Sequence, residues 1–110
     1  MDEQEFRRAA DREIASLYQS LIRAEDSAEI EVEESGGAIK INFEEPPATF
    51  VISPNFAVRQ IWISALSTSF KLDWSAAKNA FVLQKSGEGL KTLIARLVNQ
   101  QLGEELVILT

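Results

Sequence analysis

The sequence predicts an α+β domain in which two helices cover one face of a roughly six-stranded antiparallel sheet and leave the other face open. Three observations carry that prediction: a long helical stripe at the start, a run of short period-two segments in the middle, and a second helical stripe near the end. A chain of 110 residues lies within the size range of one domain, taken as residues 1–110, and buries enough apolar surface to fold without staples.

From Asp2 to Ala24, the residues Phe6, Ala10, Ile14, Leu17, Leu21 and Ala24 recur at spacings of three and four, which is the apolar stripe of an amphipathic helix. Tyr18 and Ile22 fall beside the centre of that stripe and flank the core. After Glu25-Asp26-Ser27 the period becomes two: Glu29, Glu31 and Glu33 alternate with Ile30 and Val32, so these carboxylates share one face of a strand. Ser35-Gly36-Gly37 is a turn signal, and Ile39, Ile41 and Phe43 then alternate with Lys40 and Asn42, completing an antiparallel hairpin from Ala38 to Phe43.

Glu44-Glu45-Pro46-Pro47 reads as a connecting turn, because proline lacks the donor a central ladder needs; Thr49 to Ser53 supplies a third strand. Ser53-Pro54-Asn55 reads as a second break. Gln60 to Ala65 alternates again, and if Ile61 and Ile63 face the core, Trp62 faces water. Phe70 with Leu72, and Phe81 with Leu83, mark two further short strands around a loop at Asp73 to Asn79. Gly87-Glu88-Gly89 precedes a second stripe at Leu90, Leu93, Ile94, Leu97 and Val98, and Gly103 stands where a left-handed cap would end that helix. Leu106-Val107-Ile108-Leu109 is too apolar for a free tail and is expected in the groove between the helices.

Composition removes whole classes of chemistry. There is no cysteine, which excludes disulfides, thiolate nucleophiles and cysteine-based zinc or cluster sites, and no histidine, which excludes Ser-His-Asp arrangements and the commonest metal ligand. Any metal must be held by oxygen. Seventeen acidic residues against eleven basic ones give a net charge of -6, unfavourable for nucleic acid or anionic lipid. Met1-Asp2-Glu3-Gln4-Glu5 lacks the basic start of a targeting segment, and no apolar run approaches the roughly 20 residues of a membrane span, so the expected location is the cytoplasm.

Gly87 to Thr92 superficially matches a phosphate loop, but Leu90 stands where the motif requires glycine before the lysine, and a turn with a helix start is the better reading. Paired carboxylates on a solvent-facing strand do not offer the cleft that acid-base catalysis needs. Glu25, Asp26, Glu29, Glu31, Glu33 and Glu34 have two readings: a surface for hard cations, or a charged edge that keeps the sheet from pairing with another chain. Residues two apart on a strand are separated by roughly 6.5 Å, so cations held there would be bound weakly and exchangeably. Trp62 beside Gln60 also has two readings, an interface anchor or a ring packed across neighbouring strands.

Glu5-Phe6-Arg7-Arg8-Ala9-Ala10-Asp11, Gly36-Gly37-Ala38-Ile39-Lys40-Ile41-Asn42-Phe43, Thr49-Phe50-Val51-Ile52 and Gln60-Ile61-Trp62-Ile63-Ser64 together resemble the frataxin family in its short bacterial form. Phe70-Lys71-Leu72-Asp73-Trp74 and Ser86-Gly87-Glu88 extend the resemblance over nearly the whole chain. The resemblance implies a two-layer α/β sandwich, and an acidic ridge that binds ferrous and ferric iron. It also implies docking on a cysteine desulfurase and an iron-sulfur scaffold protein, and a monomeric state when iron is absent. Carried over by position, the ridge maps to Glu3, Asp11, Glu25, Asp26, Glu29, Glu31 and Glu33, and the partner site to Asn55, Gln60 and Trp62, flanked by Arg59.

Where similar bacterial proteins carry carboxylates late in the first helix, this chain has Tyr18, Gln19, Ile22 and Arg23, so its ridge is thinner. Ser53 stands where relatives commonly have asparagine, and Pro54 stiffens the loop that follows. A thinner ridge weakens iron storage more than partner regulation. The leading expectation is therefore a non-enzymatic, iron-binding regulator of iron-sulfur cluster assembly, with two rivals: a ferroxidase acting at the ridge, and a metal-free interaction module.

Overall fold

In a computed structural model describing residues 1–110, Asp2 begins the first helix by accepting the Glu5 N–H on its carboxylate at 2.8 Å. That backbone bond holds the Asp2 carboxyl below its ordinary value. Helix α1 then runs Glu3–Ala24, with Glu3 and Glu5 in its first turn and Arg23 in its last, each complementing the helix dipole. Phe6, Ala9, Ala10, Ile14, Leu17, Leu21 and Ala24 are buried, which is the expected stripe.

The strands follow in order: β1 Ile30–Ser35, β2 Ala38–Glu44, β3 Pro47–Asn55, β4 Gln60–Ala65, β5 Thr68–Ser75, β6 Ala80–Leu83 and β7 Glu88–Gly89. Each pairs antiparallel with its sequence neighbour, giving one seven-stranded sheet in the order β1 to β7. Helix α2, Leu90–Leu102, returns over the same face as α1 and ends on Gly103 at φ 74°, a left-handed cap that glycine adopts without strain. The β1–β2 turn places Gly36 and Gly37 at φ 60° and 85°, as a tight two-residue hairpin requires.

Four expectations need correction. The sheet has seven strands rather than about six, because Glu88–Gly89 adds a two-residue strand too short to show a period. Glu29 precedes β1 instead of sharing its face with Glu31 and Glu33. Pro54 lies inside β3, where it faces Ile61 of β4; β2 begins at Ala38 and its pairing with β3 stops at Ile52, so no β2 ladder needs the missing donor. Asp73 to Ser75 belong to β5, leaving only four residues for the turn.

One continuous cluster of 24 buried residues joins both helices to the inner sheet face, so the molecule has one core. Phe6 anchors it, meeting Phe56 and Phe81 edge-to-face at centroid distances of 5.5 and 5.6 Å. Phe56 follows β3, whereas Pro46, which precedes β3, accepts a bond from Gln101 of α2 at 3.0 Å. Both helices therefore point their C-terminal ends toward the β2–β3 turn. No helix is long and apolar enough to cross a membrane.

The tail is clamped by Asn99. Its Oδ1 accepts the N–H groups of Leu106 and Val107 at 3.1 and 2.8 Å, and its Nδ2 donates to the Val107 carbonyl at 2.9 Å. Ser20 Oγ of α1 and Lys91 Nζ of α2 both donate to the Thr110 carbonyl oxygen at 2.8 Å, so the segment lies between the helices. An extended chain shows only alternate residues to the core: Val107 is buried, while Leu106 and Ile108 remain 45% and 85% exposed.

Candidate functional site

The bare face of the sheet is set by alternation. In β4, Ile61, Ile63 and Ala65 turn to the helices and are buried, which sends Gln60, Trp62 and Ser64 outward. Trp62 is 37% exposed. Its indole N–H donates to Gln60 Oε1 at 2.9 Å, and Gln60 Nε2 donates onward to Asp73 Oδ1 at 2.9 Å. Lys71, directly across on β5, holds its ammonium 4.8 Å from the ring centroid. The ring is thus held in one orientation by its own neighbours.

Asn55 and Arg59 sit at the end of this face and serve the loop. Asn55 Oδ1 accepts the N–H groups of Ala57 and Val58 at 3.1 and 3.4 Å, shaping the β3–β4 connection. Arg59 takes the left-handed conformation, φ 52°, and is exposed.

The seven ridge residues are distributed over α1, the α1–β1 connection and β1. Glu3 lies in the first turn of α1, 4.0 Å from Arg7. Asp11 lies farther along α1, in a groove it shares with Tyr18, Gln19, Glu34 and Gly37. Glu31 and Glu33 stand on β1 and point to the open face, the same side as Trp62; Glu33 Oε2 accepts from Asn42 Nδ2 at 2.6 Å, and Asn42 Oδ1 accepts from Thr49.

Glu25, Asp26 and Glu29 meet at a cleft of about 530 Å³, together with Glu45, Glu104, Leu102 and Leu106. Glu25 is half-buried, and its Oε2 accepts the Val32 N–H at 2.8 Å. Glu45 and Glu104 escaped the sequence reading because they come from a turn and from beyond α2, and no local pattern connects either to residues 25–29. Glu44 extends the same acidic end toward Glu29, Glu31 and Asn42. These carboxylates line a surface without converging, and no group of three or more could hold a single metal ion. The thinned stretch of α1 is polar or apolar as read, with Tyr18 and Ile22 half-buried at the core's margin.

Away from this end, Glu13 Oε2 accepts the Phe81 N–H at 3.0 Å, and burial pushes its carboxyl above the ordinary value. Glu88 pairs with Arg96 at 2.8 Å, and that bond lowers the Glu88 carboxyl.

Two helices on one face of an antiparallel sheet, a bare opposite face carrying an oriented tryptophan, and a carboxylate-rich end define a frataxin-type sandwich. The family model of the frataxin-like domain matches residues 1–104, and the chain belongs to that family. The iron-sulfur cluster assembly protein CyaY of Azotobacter vinelandii is 34% identical over 83 residues, 74% of each chain. The protein of the same name from Stutzerimonas stutzeri is 31% identical over 80 residues, 73% of this chain and 72% of that one. The solved frataxin of Psychromonas ingrahamii superposes with a TM-score of 0.83 over 100% of this chain and 99% of that one; at 19% identity this likeness speaks for the fold alone.

Proposed function

We propose that this protein serves iron-sulfur cluster assembly as an iron-binding regulator, docking its open sheet face on a cysteine desulfurase and scaffold protein. Membership of the family, and the name carried by the Azotobacter and Stutzerimonas relatives, support the pathway. One observation carries the docking: Trp62 stands on a bare sheet face, held in a fixed orientation by Gln60 and Lys71. A large ring in that position serves no core, and preoriented aromatics are common binding anchors.

Iron is cargo in this reading. Carboxylate oxygens spread over Glu25, Asp26, Glu29, Glu31, Glu45 and Glu104 suit a hard cation in several weak, exchangeable positions. Neither redox chemistry nor a resident metal is needed for regulation by docking, which favours a binder over a ferroxidase.

A reconstituted cluster-assembly reaction tests the proposal. Added protein should change the rate of cluster formation in a dose-dependent way, and ferrous iron should broaden NMR signals from Glu25 to Glu33 first. No rate change with or without iron would contradict the regulatory role. Broadening confined to another surface would contradict the iron site.

A further inference from the structure

Gln60 links Trp62 to Asp73, and the chemistry of the two ends leaves its amide one orientation. On β4, Gln60 and Trp62 point to the open face, and on β5 the opposing Lys71 and Asp73 do the same. An indole N–H only donates, and a carboxylate only accepts. Gln60 must therefore turn Oε1 to Trp62 and Nε2 to Asp73, as the two 2.9 Å bonds show. A flipped amide would set donor against donor at the ring and acceptor against acceptor at Asp73.

Asp73 is free for this task because it takes part in no ion pair. Lys71 stands two residues away on the same face, roughly 6.5 Å along the strand, yet the ion pairs of the chain join other residues. Lys71 instead holds its ammonium over the Trp62 ring, and the Asp73 carboxylate bonds Gln60. Gln60 and Asp73 are both half-buried, so water competes weakly for that bond. Without it, the Gln60 side chain regains rotamers that leave the indole N–H unpaired, and Lys71 alone holds the ring.

We propose that Asp73 is a positioning residue for Trp62: by fixing the Gln60 amide, it holds the ring in the one orientation that the proposed docking uses. The inference rests on that docking for its consequence, while the relay is a property of the free chain, so the two can fail separately. Asp73 acts through Gln60 and need not touch the partner. Its backbone pairs with Val82 of β6 whatever its side chain, so truncation should release Gln60 without removing a strand. Its place opposite Gln60 was hidden in the sequence, where Asp73 to Asn79 reads as a loop.

Indole NMR signals and a double-mutant cycle test the role. In Asp73→Ala the Trp62 indole N–H, assigned by its loss in Trp62→Ala, should shift upfield and exchange with solvent about fivefold faster than in the wild type. Unchanged Ile39 and Ile41 amides on β2 would establish that the variant is folded. Asp73→Asn keeps an accepting oxygen but adds donors that permit the flipped amide, and should fall between the two. Affinity for the desulfurase and scaffold should drop about tenfold in Asp73→Ala. In a Trp62→Ala background the same substitution should change affinity by less than about twofold, because no ring is left to orient. A Trp62 indole signal unmoved in Asp73→Ala would overturn the relay. An equal loss of affinity in the Trp62→Ala background would make Asp73 a direct contact and overturn the positioning role.

Discussion

Strand β4 presents two faces built by different rules. Toward the helices, Ile61, Ile63 and Ala65 are at most 2% exposed and hold their places by shape alone. Toward solvent, Gln60 and Trp62 are held by directional bonds, the indole to Gln60, Gln60 to Asp73, and the Lys71 ammonium over the ring. The inner residues gain from being covered by this chain, and in the proposed function the outer ring gains from being covered by another. On the proposed function, successive residues of one strand would carry folding and recognition separately, and substitution should pull the two apart.

The largest effect should come from the inner face. Ile63→Ala opens a cavity under the helices and should destabilise the fold by about 2–5 kcal/mol, lowering the melting temperature by on the order of 10 °C or more. Whatever fraction stays folded should bind the partner normally, as a titration corrected for the folded fraction would read. A loss of affinity in the folded fraction would blur the division between the faces.

The tail repeats the contrast at smaller scale, since Val107 is buried while Ile108, its neighbour, is 85% exposed. Asn99→Ala removes three bonds to that segment and should destabilise by about 2 kcal/mol, whereas Ile108→Ser should leave the melting curve within about 0.5 kcal/mol. Thermal melts of the two variants compare them directly.

Charge changes on the outer face should be smaller still for stability and visible in kinetics. Glu31→Lys combined with Glu33→Lys alters the field beside Trp62 without touching the core, so the association rate with the partner should change several-fold at low salt and converge with wild type at high salt. Stopped-flow mixing across a salt series reads this. A salt-independent change would point to altered contacts instead.

The smallest effect is a pH slope. Burial raises the Glu13 carboxyl above its ordinary 4.5, so the folded chain holds that proton more tightly than the unfolded chain does. Its contribution is full below the unfolded value and fades as pH rises through the higher folded value. Glu13→Gln keeps an acceptor for the Phe81 N–H and loses the titration, so its stability should improve relative to wild type as pH rises from about 4 to about 7. Melts at matched pH would show parallel curves if the carboxyl were freely solvated.

Much of this division was legible before any coordinates. The spacing of Phe6, Ile14, Leu17 and Leu21 fixes one helix face, and the alternation around Trp62 fixes which side of β4 is bare, because both follow from backbone periods. Features set by other parts of the chain were not legible. Pro54 reads as a breaker until β2 is seen to end short of it, and Glu88–Gly89 becomes a strand only because β6 lies alongside. Glu45 and Glu104 join Glu25 and Glu29 through the parallel run of the helices, which no local period records. Glu25 reads as a cation ligand, yet its carboxylate is engaged by the Val32 backbone, a bond across a turn that composition cannot reveal.

The division of β4 rests most directly on Trp62→Ala, measured for partner affinity and for stability in the same preparation. Truncating the ring should weaken the proposed docking on the desulfurase and scaffold by roughly thirtyfold, about 2 kcal/mol, while stability falls by less than about 1 kcal/mol. Wild-type affinity in this variant, or a loss of affinity accounted for by unfolding, would contradict the account.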